Sequence, residues 1–327
     1  MANSELIPVY VLTGFLGSGK TTLLNRILDE ARATDRKAAV LLNEVGEANV
    51  EGDRIGNDVP MTEMLGGCIC CSIRADLGLE LTKLVREHRP DAIWIESTGI
   101  ARPLEIMEAV TEASLYEKVV LKSVVAVADA RHLLDRTRVG SGKTLKLMKE
   151  QISVADLVLL NKADLVAGSE LEELKELLSD WNPGARLVTT VKADIEMDAI
   201  YGRSRSSGQD DALERGRGHA HRHDHHHEHD HDRLHAHVNA LTYYLPGPVD
   251  SREFEELVGG LPENVYRGKG IVTFRDTASR FLFQYAYRES DYVRITPQKT
   301  VHDVVVFIGE GFSRDELTKR LELLTRE

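Results

Sequence analysis

From Pro8 to about Thr190 the chain alternates between β-type apolar runs and longer stretches in which apolar residues return at helical spacing. The runs "PVYVLT", "KAAVLLN", "DAIWIES", "VVAVAD", "DLVLLN" and "RLVTT" read as strands. Between them, amphipathic patterns predict helices over Thr22 to Ala33, Arg74 to His88, Pro103 to Ala113, Lys143 to Ser153 and Ser169 to Asp180. Strand and helix taken in turn imply a mostly parallel, doubly wound sheet with helices on both faces. The pattern then stops. From Gly202 to about His237 almost no large apolar residue occurs, so this stretch cannot bury enough surface to offset chain entropy and reads as a flexible or metal-ordered linker. After it, "VNALTYYL", "GIVTF", "FLFQYAY" and "VHDVVVFIG" predict strands of a smaller α+β domain, with a hairpin turn at "RDTAS". Capping boxes in "DSRE" and "SRDE" mark two helix starts. The expected division is 1–201, 202–237 and 238–327.

Charge and cysteine usage narrow the class of protein. A formal net charge of −12 over 327 residues, with no Lys/Arg-rich run, argues against nucleic-acid and membrane partners. "MANSELIPVYVLTG" has no basic segment ahead of its apolar residues, and no stretch approaches about 18 uninterrupted apolar residues. Three cysteines cannot pair off internally, so reduced thiols and a cytoplasmic soluble protein are expected.

Two motifs point to a nucleotide. "GFLGSGKT", Gly14 to Thr21, fits G-x-x-x-x-G-K-[ST] and lies between a strand and a helix, the context of a P-loop NTPase. Gly14, Gly17, Ser18 and Gly19 let backbone N–H groups turn toward phosphates, Lys20 reaches the β and γ phosphates, and the Thr21 hydroxyl serves Mg²⁺, with Thr22 beside it. "NKAD", Asn161 to Asp164, follows the strand "DLVLL" at its C-terminal end. Asp164 can accept from the ring N–H and the exocyclic amine of guanine, Asn161 can face the other base edge, and Lys162 lies between them, so GTP is favoured over ATP. Glu96 in "IWIESTG" suits an acid near Mg²⁺, with the Gly99 N–H facing the γ-phosphate; a carboxylate that merely caps the next helix is the alternative. Asp129 in "VADA" is open between a structural and a functional role. A second "GSGKT", at Gly140 to Thr144, lacks the first glycine of the motif and a preceding buried strand, and reads as a loop before a helix.

A metal is suggested by the rest. All three cysteines fall in "GGCICC", as Cys68, Cys70 and Cys71, between the segment "NEVGEANVEGD" and the Glu96 strand. Thiolates so close in a loop can converge on one soft or borderline ion, with Glu44 and Glu47 as candidate oxygen ligands; buried structural cysteines or a redox thiol pair are the alternatives. Ten of the thirteen histidines lie between His219 and His237, among them His219, His221, His223, His225, His226, His227, His229 and His231, interleaved with Asp and Glu. Such a tract can hold several divalent ions weakly. Zn²⁺ comes first and Co²⁺ second.

With GFLGSGKT, GGCICC, ESTG and NKAD in this order, the chain resembles the CobW-type P-loop GTPases, a group of metallochaperones. The resemblance extends to "YRGKG" (Tyr266 to Gly270) and "VFIGEG" (Val306 to Gly311); "VADA" in place of "VVDA" is a mild departure that keeps the Asp. It implies hydrolysis of GTP to GDP and phosphate at Lys20, Thr21 and Glu96. It also implies coupling of that step to binding and release of a transition metal held by Cys68, Cys70 and Cys71, and delivery to a client metalloprotein; by its position alone, the C-terminal domain is where that client is expected to dock. A zinc reservoir or sensor regulated by nucleotide, or a cobalt-directed member serving cobalamin or nitrile hydratase, is the alternative.

Overall fold

The computed structural model describes residues 6–43, 59–63, 72–99, 101–201, 238–298 and 300–325. Seven strands form one sheet: β1 (Ile7–Thr13), β2 (Ala38–Asn43), β3 (Met61–Glu63), β4 (Ala92–Ser97), β5 (Val119–Asp129), β6 (Leu157–Asn161) and β7 (Arg186–Thr189). Their order is β3-β2-β4-β1-β5-β6-β7, and every pairing is parallel. β1 takes the centre because both of its faces are apolar. Val9 and Val11 pack into one core with α2 (Ser72–His88) and α3 (Pro103–Ala113), while Tyr10 and Leu12 pack into the opposite core with α1 (Lys20–Ala33). There the Tyr10 ring stacks on Trp94 at 4.4 Å, and Tyr201, at the end of α7 (Met197–Tyr201), stands edge-on to Tyr10 at 5.7 Å. Helices α4 (Ala130–Val139), α5 (Lys143–Ser153) and α6 (Gly168–Trp181) close a third cluster over β5 and β6.

The chain leaves β1 toward β2 on one side and returns as β5 on the other, so the C-terminal end of β1 is a topological switch point, where open α/β sheets bind ligands. Three elements go beyond the sequence reading. α7 has only five residues, too few for a periodic signal. α4 is short and polar; it starts where Asp129 Oδ1 accepts from the His132 N–H at 3.0 Å and ends at Gly140, whose φ of 77° is left-handed. The second "GSGKT" is thereby the turn from α4 into α5, as its sequence context indicates. β11 (Glu289–Ile295) is a polar edge strand, largely exposed, whose charged side chains discourage pairing with another chain.

β11 belongs to a second sheet, antiparallel and five-stranded, in the order β11-β10-β9-β12-β8, where β8 is Val238–Tyr244, β9 Val265–Phe274, β10 Ser279–Ala286 and β12 Val304–Glu310. The "RDTAS" turn joins β9 to β10, with Phe274 opposite Ser279. Helices α8 (Ser251–Gly259) and α9 (Arg314–Leu324) cover one face, their starts capped by Asp250 and Ser313. The other face meets the first sheet's helical layer. Val238, Ala240 and Ile308 enter the α2/α3 core, and Ile271, Val304 and Val306 enclose Leu115, the second residue after α3. Polar contacts lock the same seam: Lys269 to Glu112 at 3.1 Å, Arg267 to Glu108, and Arg314 to Asp156 at 2.8 Å.

At this seam the Tyr244 hydroxyl lies 2.8 Å from the Val119 carbonyl, 2.9 Å from that of Glu117 and 3.2 Å from that of Ser114. It has one proton to donate, and burial pushes the phenol above its ordinary pKa. Tyr244→Phe is therefore expected to lower stability by about 1–2 kcal/mol at neutral pH. Because the folded-state pKa is the raised one, this contribution is complete below the unfolded value of about 10 and fades as pH rises above it. Urea denaturation of both proteins at pH 7 and near pH 10.5 checks this; a gap that widens with pH contradicts it.

Candidate functional site

Gly14 to Gly19 turn the chain from the end of β1 into α1, with the Ser18 N–H donating to the Phe15 carbonyl at 3.1 Å. Gly17 and the exposed Leu16 form the outer tip. Gly19, the N-cap, has a φ of 110°, and a Cβ there would stand 2.5 Å from Asn161 Nδ2, so only glycine fits. The first turn of α1 carries no acidic residue, so nothing on the helix itself offsets the positive end of its dipole. Lys20 opens the helix and is 8% exposed; its Nζ donates to the carbonyls of Gly14 at 2.9 Å and Phe15 at 3.4 Å. The ammonium thus lies inside the curve of the loop, where phosphate oxygens would replace those carbonyls.

Thr21 donates its hydroxyl to Glu96 Oε1 at 3.0 Å, while Thr22 beside it is exposed. Glu96 is buried near the end of β4, in register with Leu12 of β1, and so lies beside the strand that feeds the loop. A hydroxyl and a carboxylate side by side are an all-oxygen donor pair of the kind a hard divalent cation takes, and the Ser18 hydroxyl is buried nearby in the loop with no hydrogen-bond partner among the described residues. These groups fit Mg²⁺ and a phosphate chain.

Gly99 follows β4 and touches the same loop: a Cβ on it would come within 2.6 Å of the Leu16 nitrogen. Its carbonyl accepts from Nε2 of Gln151, a buried α5 residue, at 3.0 Å. Gln151 is a site residue that the sequence did not reveal. It lies 52 positions from its partner in a helix with no motif.

Asn161, 2% exposed at the end of β6, has its side chain committed within the protein. Nδ2 donates to the Ser18 carbonyl at 2.8 Å, while Oδ1 accepts from the Ala193 N–H at 2.8 Å and from Thr190 Oγ1 at 3.1 Å. This differs from the expectation that Asn161 faces a base edge. The amide instead ties the phosphate loop to the loop after β7, and it is buried because that bracing has to be made beneath both. Lys162, in the left-handed region at φ 58°, pairs with Asp129 at 2.7 Å. Asp129, capping α4 with one oxygen and holding Lys162 with the other, has a structural role. Asp164 lies in a 3-10 turn (Ala163–Leu165) and is exposed, with its carboxylate open to a ligand.

Cys68, Cys70, Cys71, Glu44, Glu47 and the histidines from His219 to His237 lie outside the described residues. Among the described residues, no group of three or more His, Cys, Asp or Glu is gathered as a metal site, and no helix is long and apolar enough to cross a membrane.

Residues 8–189 match the family model "CobW/HypB/UreG, nucleotide-binding domain", and residues 238–324 match "Cobalamin synthesis protein cobW C-terminal domain". Zinc chaperone YjiA of Escherichia coli is 30% identical, over 95% of this chain and 96% of that protein. Zinc-regulated GTPase metalloprotein activator 1 of Dictyostelium discoideum is 35% identical over 60% of this chain, and the match spans 48% of that protein's length. The crystal structure of Zn(II)-bound YjiA GTPase from E. coli aligns with 98% of this chain and 100% of its own, at 25% identity and a TM-score of 0.45. With its nucleotide-binding domain matched from strand β1 to strand β7 and its second sheet matched as the domain that follows, the chain belongs to the CobW/HypB/UreG family.

Proposed function

We propose that this protein is a GTPase that uses the GTP cycle to deliver a transition metal, zinc first, to client metalloproteins. The observation that carries the reading is the grouping at the end of β1: Lys20 inside its loop, Thr21 bonded to Glu96, and Gly99 against the loop backbone. Hydrolysis transfers the γ-phosphoryl group to water with GDP as the leaving group, and negative charge shifts among the phosphate oxygens. In this role Lys20 leaves its two carbonyls for the phosphates, and the N–H groups opening α1 face the same charge. Thr21 and Glu96 hold Mg²⁺, which when bound neutralises charge on the β and γ phosphates. Asp164 accepts from guanine, and Asn161 keeps the base and phosphate loops in register.

Zinc is cargo in this reading, taken by Cys68, Cys70 and Cys71, with Glu44 and Glu47 as candidate further ligands and the His219–His237 tract as a capture site. Similarity to the zinc chaperone and to the zinc-regulated activator supports it. So does the order of the chain, with the three thiols falling between the two segments that flank the nucleotide. Three cysteines within four positions, with none elsewhere to pair with, suit the reducing cytoplasm. The acidic net charge continues to favour a protein client over nucleic acid. The ten-histidine tract gives substance to a second reading, a zinc reservoir in which nucleotide only regulates.

GTP turnover with and without Zn²⁺, in the native chain and in Cys70→Ala, separates the two. Coupled delivery predicts a zinc effect of several-fold on affinity for a GTP analogue and with it a change in turnover, both lost in Cys70→Ala. Reciprocity then requires GTP to change zinc affinity by the factor by which zinc changes GTP affinity. Equal analogue affinity with and without zinc sinks the coupling.

A further inference from the structure

The end of the first sheet opposite the nucleotide loop carries a groove lined by several basic side chains. Three contiguous cavities, of about 510, 930 and 280 Å³, run along the N-terminal ends of the strands. The first and second share Arg36 and Lys37, and the second and third share Lys122 and Tyr201. Lining residues come from the starts of β2, β4, β1, β5, β6 and β7 in spatial order, so at strand spacing the groove is about 24 Å long.

Arg36, Lys37, Arg89, Lys122 and Arg186 line it, and none of the five side chains has a carboxylate within ion-pair reach among the described residues. By contrast, most arginines in the seam between the sheets are paired. The acidic residues nearest the groove's middle and far end are partly engaged: Asp91 accepts from the Lys37 backbone N–H at 2.8 Å, and Asp156 is held by Arg314. Asp35 and Glu87 line only the first cavity. The Tyr201 ring forms part of the wall, with the Arg36 guanidinium 5.8 Å from its centre. Five cations without an ion-pair partner among the described residues, in a chain of net charge −12, give this edge a basic stripe beside the four carboxylates that also line it.

We infer that this groove is the docking surface for an extended acidic segment of a partner protein. A single small anion would fill one cavity and leave the cations at the two ends unused; about seven residues of extended chain match the whole length. The aromatic wall takes an apolar side chain between acidic ones, and the charges steer the encounter. The inference rests on the reading of the chain as a chaperone with a protein client, and it moves the client from the C-terminal domain to the GTPase sheet. A partner bound there leaves the mouth of the nucleotide site open, because the two lie at opposite ends of the same strands.

The test uses the full chain loaded with GDP and Mg²⁺ and a fluorescein-labelled peptide of about ten residues alternating Glu and Phe, read by anisotropy. A lysine version of the same peptide and inorganic tripolyphosphate serve as comparisons. Expected are saturable binding that weakens with salt, a loss of about tenfold or more in Arg36→Glu/Lys122→Glu, a smaller loss in Arg186→Glu, and no change in Lys319→Glu on α9. The double variant should keep the GTP turnover of the native chain, which shows that it folds. Absence of saturable binding, equal binding of the lysine peptide, an unaffected double variant, or stoichiometric tripolyphosphate that the peptide cannot displace each overturn the inference. Peptide failure with zinc-dependent turnover intact removes the groove alone. Peptide binding with no zinc effect removes the chaperone reading instead.

Discussion

Replacing Asn161 with alanine is expected to lower both the stability of the protein and its affinity for nucleotide. The substitution strips a partner from the Ser18 carbonyl, the Ala193 N–H and the Thr190 hydroxyl, all in a region that water does not reach. Leaving buried polar groups unmatched costs roughly 1–3 kcal/mol each, and partial relaxation brings the total to about 3 kcal/mol. For a chain of this size that corresponds to a melting temperature lower by about 4 °C. The loop geometry that places Ser18 and Gly19 is released at the same time, so affinity for GDP should fall by about tenfold or more. Calorimetry and binding of a fluorescent guanine nucleotide measure the two losses. If Asn161 contacted only the base, affinity would fall and the nucleotide-free melting temperature would not move.

Lys20→Ala is expected to have the opposite profile, with little effect on folding and a large one on chemistry. In the nucleotide-free chain the ammonium bridges two carbonyls of its own loop, so its removal should change stability by about 1 kcal/mol or less. At the phosphates the same charge would oppose negative charge in a site shielded from water, and loss of one such group typically slows turnover by about 100-fold or more. Single-turnover hydrolysis with a matched measurement of GTP affinity tests this. Turnover within a few-fold of the native rate would remove Lys20 from the reaction.

Much of the first sheet was readable because its strands are covered on both faces, which leaves long apolar runs with helical patterns between them. β11 lacked that signal because it lies at an edge where neither face is fully covered. α4 was hidden by its polarity and revealed only by the cap that Asp129 makes. The phosphate loop, Glu96 and the turn with Asp164 were legible because each depends on residue type at a fixed local spacing. The roles of Asn161 and Gln151 were not, since their partners are 143 and 52 positions away and no periodicity connects them. Asn161 belongs to a readable motif, yet what its side chain does depends on which loops the fold brings above it. The basic groove is a third case: its five cations are scattered along the sequence and become a stripe only when parallel strands align their starting ends.

The seam around Leu115 bears on how proteins of this shape can be rearranged over evolution. The second sheet completes the core of the first rather than sitting beside it, since Ile271, Val304 and Val306 close over Leu115 while Val238, Ala240 and Ile308 fill the layer of α2 and α3. The C-terminal half is therefore not a cassette that can be exchanged without adjustment. A descendant that lost it would have to acquire polar side chains at the positions of Leu115 and its neighbours on α3. Two descendants that traded it would have to trade that surface as well.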